Sequence, residues 1–146
     1  MSEHKKTRVL FADDNDGICL LVTDFLTDQG VEIVTVSDGQ QAVKTACTSM
    51  FDVCILDVEM PNMDGLKACE ILRQTPLTAN LPILFLTMSA DHTTVNRAFA
   101  AGASDFLTKP IIPKLLWHRI QMLLQINSLT DESRRLKDAL ALIQSK

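Results

Sequence analysis

The sequence predicts an α/β fold, a doubly wound five-stranded parallel sheet in the order 2-1-3-4-5 with an extended C-terminal helix. Three observations carry this prediction. Short apolar runs alternate with longer segments of helical period, no internal repeat interrupts them, and the three central runs are apolar at every position. Such runs are expected of strands covered by helices on both faces, and right-handed crossovers between parallel strands supply those helices.

The elements follow in chain order. Val9 to Ala12 (VLFA) reads as the first strand, and Ile18, Leu21, Val22 and Phe25 repeat at the spacing of one helical face. Gly30, just past that helix, suits a left-handed C-cap. Val31 to Val36 (VEIVTV) mixes polar residues into its run and suits an edge strand. Ala42, Val43, Ala46 and Cys47 mark the second helix, Val53 to Leu56 (VCIL) the third strand, and Leu66, Cys69 and Leu72 the third helix. Ile83 to Leu86 (ILFL) is the fourth strand, followed by a helix on Val95, Ala98 and Phe99 that Gly102 closes. Asp105 to Thr108 (DFLT) is short and mixed, a second edge, and the last helix starts near Pro113, which loses no needed donor in a first turn. With the second and fifth strands at the edges, the order 2-1-3-4-5 follows.

Composition narrows the function classes. A chain of 146 residues is one domain by size, large enough to bury roughly 68–70% of its unfolded surface without disulfide or metal staples. Five Gly and five Pro exclude collagen-like and low-complexity chains. A net charge of −4 argues against direct binding of nucleic acid or an anionic membrane surface. Cys19, Cys47, Cys54 and Cys69 form no C-x-x-C pair and sit among apolar neighbours, as core thiols do. The polar start at residues 1–6 is followed by no secretory apolar segment, and no run approaches the roughly 20 residues of a membrane span, so the expected compartment is the cytoplasm.

In open parallel sheets the site lies beyond the carboxyl ends of the strands, at the switch point between the first and third. Asp13 and Asp14 follow the first strand and Asp57 ends the third. Each pair of such carboxylates repels by about 4 kcal/mol at 4 Å in an effective dielectric near 20. A cation should therefore sit among them, and oxygen-only donors with open positions suit Mg²⁺ better than Zn²⁺. Lys109, after the fifth strand, reaches the same rim. The competing explanation is that acids after strands cap helices, which is the expected role of Asp16, Asp38, Asp64 and Asp91. Capping explains neither the adjacent Asp13–Asp14 pair nor Lys109. An EF-hand reading of DDNDG fails, because its first and closing ligand positions fall on Ala12 and Thr23.

Asp13–Asp14 after the first strand, DVCILDVEMPNMDG at 52–65, Thr87 ending the fourth strand and AFAAGASDFLTKP at 98–110 are spaced motifs in a fixed structural order. Over residues 7–125 the sequence resembles a response regulator receiver domain of bacterial two-component signalling, with a flavodoxin-like, CheY-like fold. The resemblance implies a signalling phosphoacceptor that catalyses only its own phosphotransfer and autodephosphorylation. Asp57 would take a phosphoryl group from a sensor histidine kinase or histidine phosphotransfer protein. Asp14 would bind Mg²⁺ directly and Asp13 through water, with Asp57 and the backbone carbonyl of Glu59 as further ligands and Mn²⁺ able to substitute. Lys109 and Thr87 would contact the phosphoryl group, Phe106 would be the switch aromatic that follows Thr87, and Lys109–Pro110 would be a cis peptide. One departure stands out: Met88 occupies a position that is usually alanine in the family, and with Glu59 and Ser89 it is expected to tune access to the site. A rival class, a haloacid-dehalogenase-like phosphatase built on Asp14-Asn15-Asp16, is disfavoured by Gly17 and by the lack of room for a substrate cap.

The chain continues past the receiver. Met122, Ile126, Leu129, Ser133, Leu136, Leu140 and Ile143 form a heptad stripe broken only by Ser133. Residues 126–146 are expected to form a projecting coiled-coil extension, the alternative being an amphipathic helix folded back on its own domain. Such extensions resemble linkers to output domains such as diguanylate cyclases, a downstream partner not found in this chain. A homodimer through this helix, or through the face of the fourth and fifth helices, is the expected assembly.

Overall fold

The computed structural model describes residues 6–144, so of the polar tail expected at 1–6 only Lys6 is described, and residues 145 and 146 lie outside it. Strands and helices alternate as β1 (Arg8–Ala12), α1 (Asp16–Asp28), β2 (Glu32–Val36), α2 (Gly39–Thr48), β3 (Val53–Asp57), α3 (Gly65–Gln74), β4 (Ile83–Thr87), α4 (His92–Ala101), β5 (Asp105–Thr108) and α5 (Pro113–Gln144). All strands pair in parallel in the order β2-β1-β3-β4-β5. Strand ends follow the ladder rather than apolarity. Arg8 joins β1 because it pairs with Glu32, and β3 and β4 each run one residue past their apolar runs because Asp57 pairs with Leu86 and Thr87 with Thr108. Two polar residues thus become the last residues of central strands.

Alternation along the central strands builds two apolar layers. Leu10, Ala12, Cys54, Leu56, Ile83 and Phe85 face α2, α3 and α4, where Ala42, Ala46, Leu66, Cys69, Leu72, Ala98 and Ala101 cover them. Val9, Phe11, Val53, Ile55, Leu84 and Leu86 face Val22 and Leu26 of α1 and Leu116 and Ile120 of α5. Every strand residue named here is fully buried. Of the cysteines expected in the core, Cys54 and Cys69 are buried, whereas Cys19 and Cys47 are half-buried and pack against the edges of the two apolar layers.

Three of the four expected helix caps are as predicted: Asp38, Asp64 and Asp91 accept hydrogen bonds from the backbone N–H groups of Gln41, Lys67 and Thr94. Asp16 is a correction. The α1 cap is Asn15, whose Oδ1 accepts from Ile18 N at 3.0 Å, while the Asn15 N–H is held by Asp13 Oδ1 at 2.9 Å. That second bond fixes the turn, and Asp16 becomes the first helical residue, its carboxylate beside the positive end of the helix. Gly30 and Gly102 follow α1 and α4 with φ of 82° and 108°, the left-handed caps their positions suggested.

Arg73 joins separate loops at the far end of α3. Its guanidinium donates to the carbonyls of Gly102 at 2.8 Å, Ala79 at 3.2 Å and Leu81 at 2.5 Å, tying the α4–β5 turn to the segment before β4. Arg73→Ala leaves these acceptors without their charged donor and is expected to cost about 2–3 kcal/mol, read as a lower denaturant midpoint with an unchanged slope.

The last helix spans 32 residues, about 48 Å. It passes residue 125 without a break. Side chains at 128–132, 134, 138 and 144 lie outside the description, among them Leu129 of the heptad stripe. Ser133 is exposed, as are Leu136 (62%), Leu140 (56%) and Ile143 (70%). Among the described residues no helix is long and apolar enough to cross a membrane.

Candidate phosphoacceptor site

Strand termini assemble the site. Asp13 follows β1, and its backbone N–H bonds Val36 O at 3.1 Å. Asp57 closes β3, and the next residue donates from Val58 N to Leu86 O at 2.9 Å. Lys109 follows β5 and donates from its backbone N–H to Thr87 O at 2.8 Å. These ladder extensions hold three separated chain segments at one rim. Asp13, Asp14 and Asp57 each bring a carboxylate oxygen within 4.8 Å of the others. Asp13 and Asp57 are buried, and Asp14 faces solvent.

Lys109 sits between the two buried acids, its Nζ 3.0 Å from Asp13 Oδ2 and 3.1 Å from Asp57 Oδ2. Asp13 Oδ2 is buried without a hydrogen bond of good geometry, and among the described residues this ammonium is its ion-pair partner. Partial burial works against the Lys109 charge, but hydrogen bonds and attraction from Asp13 and Asp57 outweigh it, so the lysine pKa is raised. Burial, and then repulsion from Asp13, push the Asp57 pKa up against the opposing pull of Lys109 and the Glu59 backbone N–H. One lysine thus leaves three carboxylates incompletely neutralised. Oxygen-only donors and an under-partnered Asp13 oxygen fit a hard divalent cation such as Mg²⁺, with Asp13, Asp14 and Asp57 as the residues that would hold it.

A family model described as "Response regulator receiver domain" matches residues 9–121. The chain belongs to that family. This receiver is 34% identical over 128 residues to Response regulator PleD of Caulobacter vibrioides, covering 88% of this chain and 28% of the relative. It is 33% identical over 131 residues to the alkaline phosphatase synthesis transcriptional regulatory protein PhoP of Bacillus subtilis, covering 90% of this chain and 54% of the relative. The chain therefore spans between about a quarter and about half of the length of these relatives. The solved chemotaxis response regulator CheY4 of Vibrio cholerae superposes with a TM-score of 0.78 at 34% identity, over 82% of this chain and 99% of that one. The receiver domain of sensor histidine kinase PA1611 from Pseudomonas aeruginosa, solved with a magnesium ion coordinated in its active-site cleft, gives 0.78 at 26% identity, over 83% and 99%.

Of the receiver's other expected site residues, Glu59, Thr87, Met88 and Ser89 share one opening with Asp57 and Lys109, whereas Phe106 and Pro110 do not line it. A cavity of about 530 Å³ is lined by Asp14, Asp57, Glu59, Thr87, Met88, Ser89 and Lys109. The buried Thr87 hydroxyl donates to Ser89 O at 2.9 Å and accepts from Ser89 N at 3.2 Å, so it is engaged by its own loop. Ser89 in turn donates to Asp91, the α4 cap. Phe106 is half-buried and meets the Phe99 ring edge-to-face, with centroids 5.9 Å apart at 81°. Lys109–Pro110 is cis. A second cavity of about 490 Å³, lined by residues such as Phe51, Pro82 and Leu124, brings together no cluster of ligating groups among the described residues.

Three participants were not singled out from the sequence. Asn15 is the α1 cap beside Asp13, and Thr94 and Arg97 reach the cavity from α4. The signal for the α4 pair is present, since residues three apart share a helix face, but a charge one turn and more into a helix is ordinarily a solvated one.

Proposed function

We propose that Asp57 is the phosphoacceptor of a two-component phosphorelay, accepting a phosphoryl group from a phosphohistidine on a sensor histidine kinase or histidine phosphotransfer protein. The observation that carries this reading is the Lys109 ammonium shared between Asp13 and Asp57 at 3.0 and 3.1 Å inside a cluster of three carboxylates. An Asp57 oxygen forms the new P–O bond while the donor's P–N bond breaks and its electron pair stays with the imidazole. Lys109 holds Asp57 in place and then faces the transferred oxygens, and Thr87 exchanges its Ser89 contacts for a phosphoryl oxygen. Phosphoryl transfer of this loose kind depends on positioning and charge neutralisation. Mg²⁺, or Mn²⁺ in its place, supplies further positive charge when held by Asp13, Asp14, Asp57 and the Glu59 carbonyl, and the PA1611 receiver with its magnesium ion supports that choice. The direct test is incubation with acetyl phosphate and Mg²⁺ followed by intact-protein mass spectrometry, where one phosphoryl group per chain is expected.

The reading extends to lifetime, compartment and assembly. Met88 is 77% exposed at the cavity edge, where it narrows the approach of water to Asp57, with Glu59 and Ser89 as neighbours. Met88→Ala is expected to accelerate dephosphorylation on the order of threefold, less than 1 kcal/mol of barrier; an unchanged or slower decay refutes it. The chain works in the cytoplasm as a receiver over residues 7–125, with the α5 helix beyond it serving as an extension or as a linker to an output domain, of which a diguanylate cyclase is one class, and direct binding of nucleic acid or membrane is not part of this reading. Exposed Leu136, Leu140 and Ile143 on α5 support a homodimer through this helix, with the α4–α5 face as the other surface. Light scattering should show a dimer strengthened by beryllofluoride, and a monomer under both conditions removes this assembly.

A further inference from the structure

The mouth of the Asp57 cavity carries a second cation. Thr94 and Arg97 lie one turn apart on α4 and both line the cavity of about 530 Å³ that holds Asp57 and Lys109. Arg97 is exposed, and among the described residues it takes part in no ion pair. Lys109 is in the opposite situation, with its ammonium already divided between Asp13 and Asp57 at 3.0 and 3.1 Å. An arriving phosphoryl group is itself an anion. It must approach an opening lined also by Asp14 and Glu59, both exposed and of the same sign as the group. Of the cations lining the opening, Arg97 is the one whose charge is not already paired with a carboxylate, and its planar fork matches two oxygens of a phosphoryl group.

We infer that Arg97 binds the phosphoryl donor at the mouth of the cavity, drawing its non-bridging oxygens past Asp14 and Glu59 toward Asp57. The inference rests on Asp57 being the phosphoacceptor and adds to it the residue that recruits the donor. With acetyl phosphate, an Asp57 oxygen bonds to phosphorus as the bond from phosphorus to the acetyl oxygen breaks. The electron pair leaves with acetate, so no proton is transferred and Arg97 acts only as a cation. Thr94, one turn away, lines the same wall.

The test compares wild type, Arg97→Gln and Arg97→Lys by the second-order rate constant for phosphorylation from acetyl phosphate at saturating Mg²⁺, across ionic strength. Arg97→Gln is expected to lower that constant about fivefold at low salt, the effect of one exposed charge pair. Arg97→Lys should restore most of it, and the gap should close as salt screens the attraction. Melting temperatures should agree among the three. A wild-type rate in Arg97→Gln overturns the inference, and so does a deficit of the same size at every ionic strength, which marks a structural effect. Phosphorylation of wild type with no response to Arg97 leaves the Asp57 reading standing, whereas a wild-type chain that takes up no phosphoryl group overturns both.

Discussion

Asp57→Asn is expected to take up no phosphoryl group from acetyl phosphate, while wild type is expected to take up one. The amide is close to the carboxylate in shape but lacks the charge and lone-pair strength of the nucleophile, so the loss is complete rather than graded. The same substitution has a second, opposite consequence in the metal-free protein. Burial and the neighbouring Asp13 raise the Asp57 pKa, so the folded state pays for holding that charge. A raised carboxylate pKa means destabilisation that is full above the folded pKa and disappears as pH falls below the ordinary value of 3.8. Metal-free Asp57→Asn should therefore melt above wild type at neutral pH, and the two curves should converge on acidification. A variant that melts below wild type at pH 7 would falsify the view that Asp57 is electrostatically loaded.

Gly65→Ala is expected to be the most damaging single methyl in the fold. A Cβ built on Gly65 would lie 2.1 Å from the backbone oxygen of Asp57 and 3.1 Å from the Phe85 ring. The first of these neighbours is backbone of a buried central strand and cannot swing aside. Relief requires α3 to move off the end of β3, breaking the 2.9 Å bond from Gly65 N to Val58 O and displacing Asp57 itself. Overpacking of this kind costs about 3 kcal/mol or more, on the order of 10 °C in melting temperature for a chain this size. Trp117, the single tryptophan, packs against the α1–α5 layer and reports unfolding by fluorescence. Gly39→Ala makes a useful comparison, since its Cβ would meet the Met63 backbone oxygen at 2.4 Å on a loop rather than a strand, and it should cost less. Equal melting of Gly65→Ala and wild type would show that α3 is not seated against β3 as tightly as these distances require.

Strand order and the positions of Asp13, Asp14, Asp57 and Lys109 were legible because the code for them is simple. Central parallel strands must be apolar at every position, so VLFA, VCIL and ILFL reveal both their identity and their place in the sheet. Parallel strands end on one side, so acids and a lysine after those runs must share a rim. What escaped the sequence depends on side-chain competition over short distances. Asn15 displaced Asp16 as the α1 cap because Asp13 Oδ1 captures the Asn15 N–H. Arg97 went unnoticed because its charge comes from within a helix, where a solvated arginine is ordinary. The Thr87–Ser89 pair of bonds is likewise local geometry that composition does not encode.

The fifth strand has a mechanical consequence. Phe106 packs with the layer under α2, α3 and α4, while Leu107 packs with the layer that seats Leu116 and Ile120 of α5. These neighbours share one peptide unit, and β5 is a four-residue edge laddered to β4 alone. The position of the Phe106 ring on one side of the sheet and that of the Leu107 side chain on the other are therefore set by the same short stretch of backbone. A short edge strand thus joins both apolar layers of the sheet, beside the root of a helix about 48 Å long.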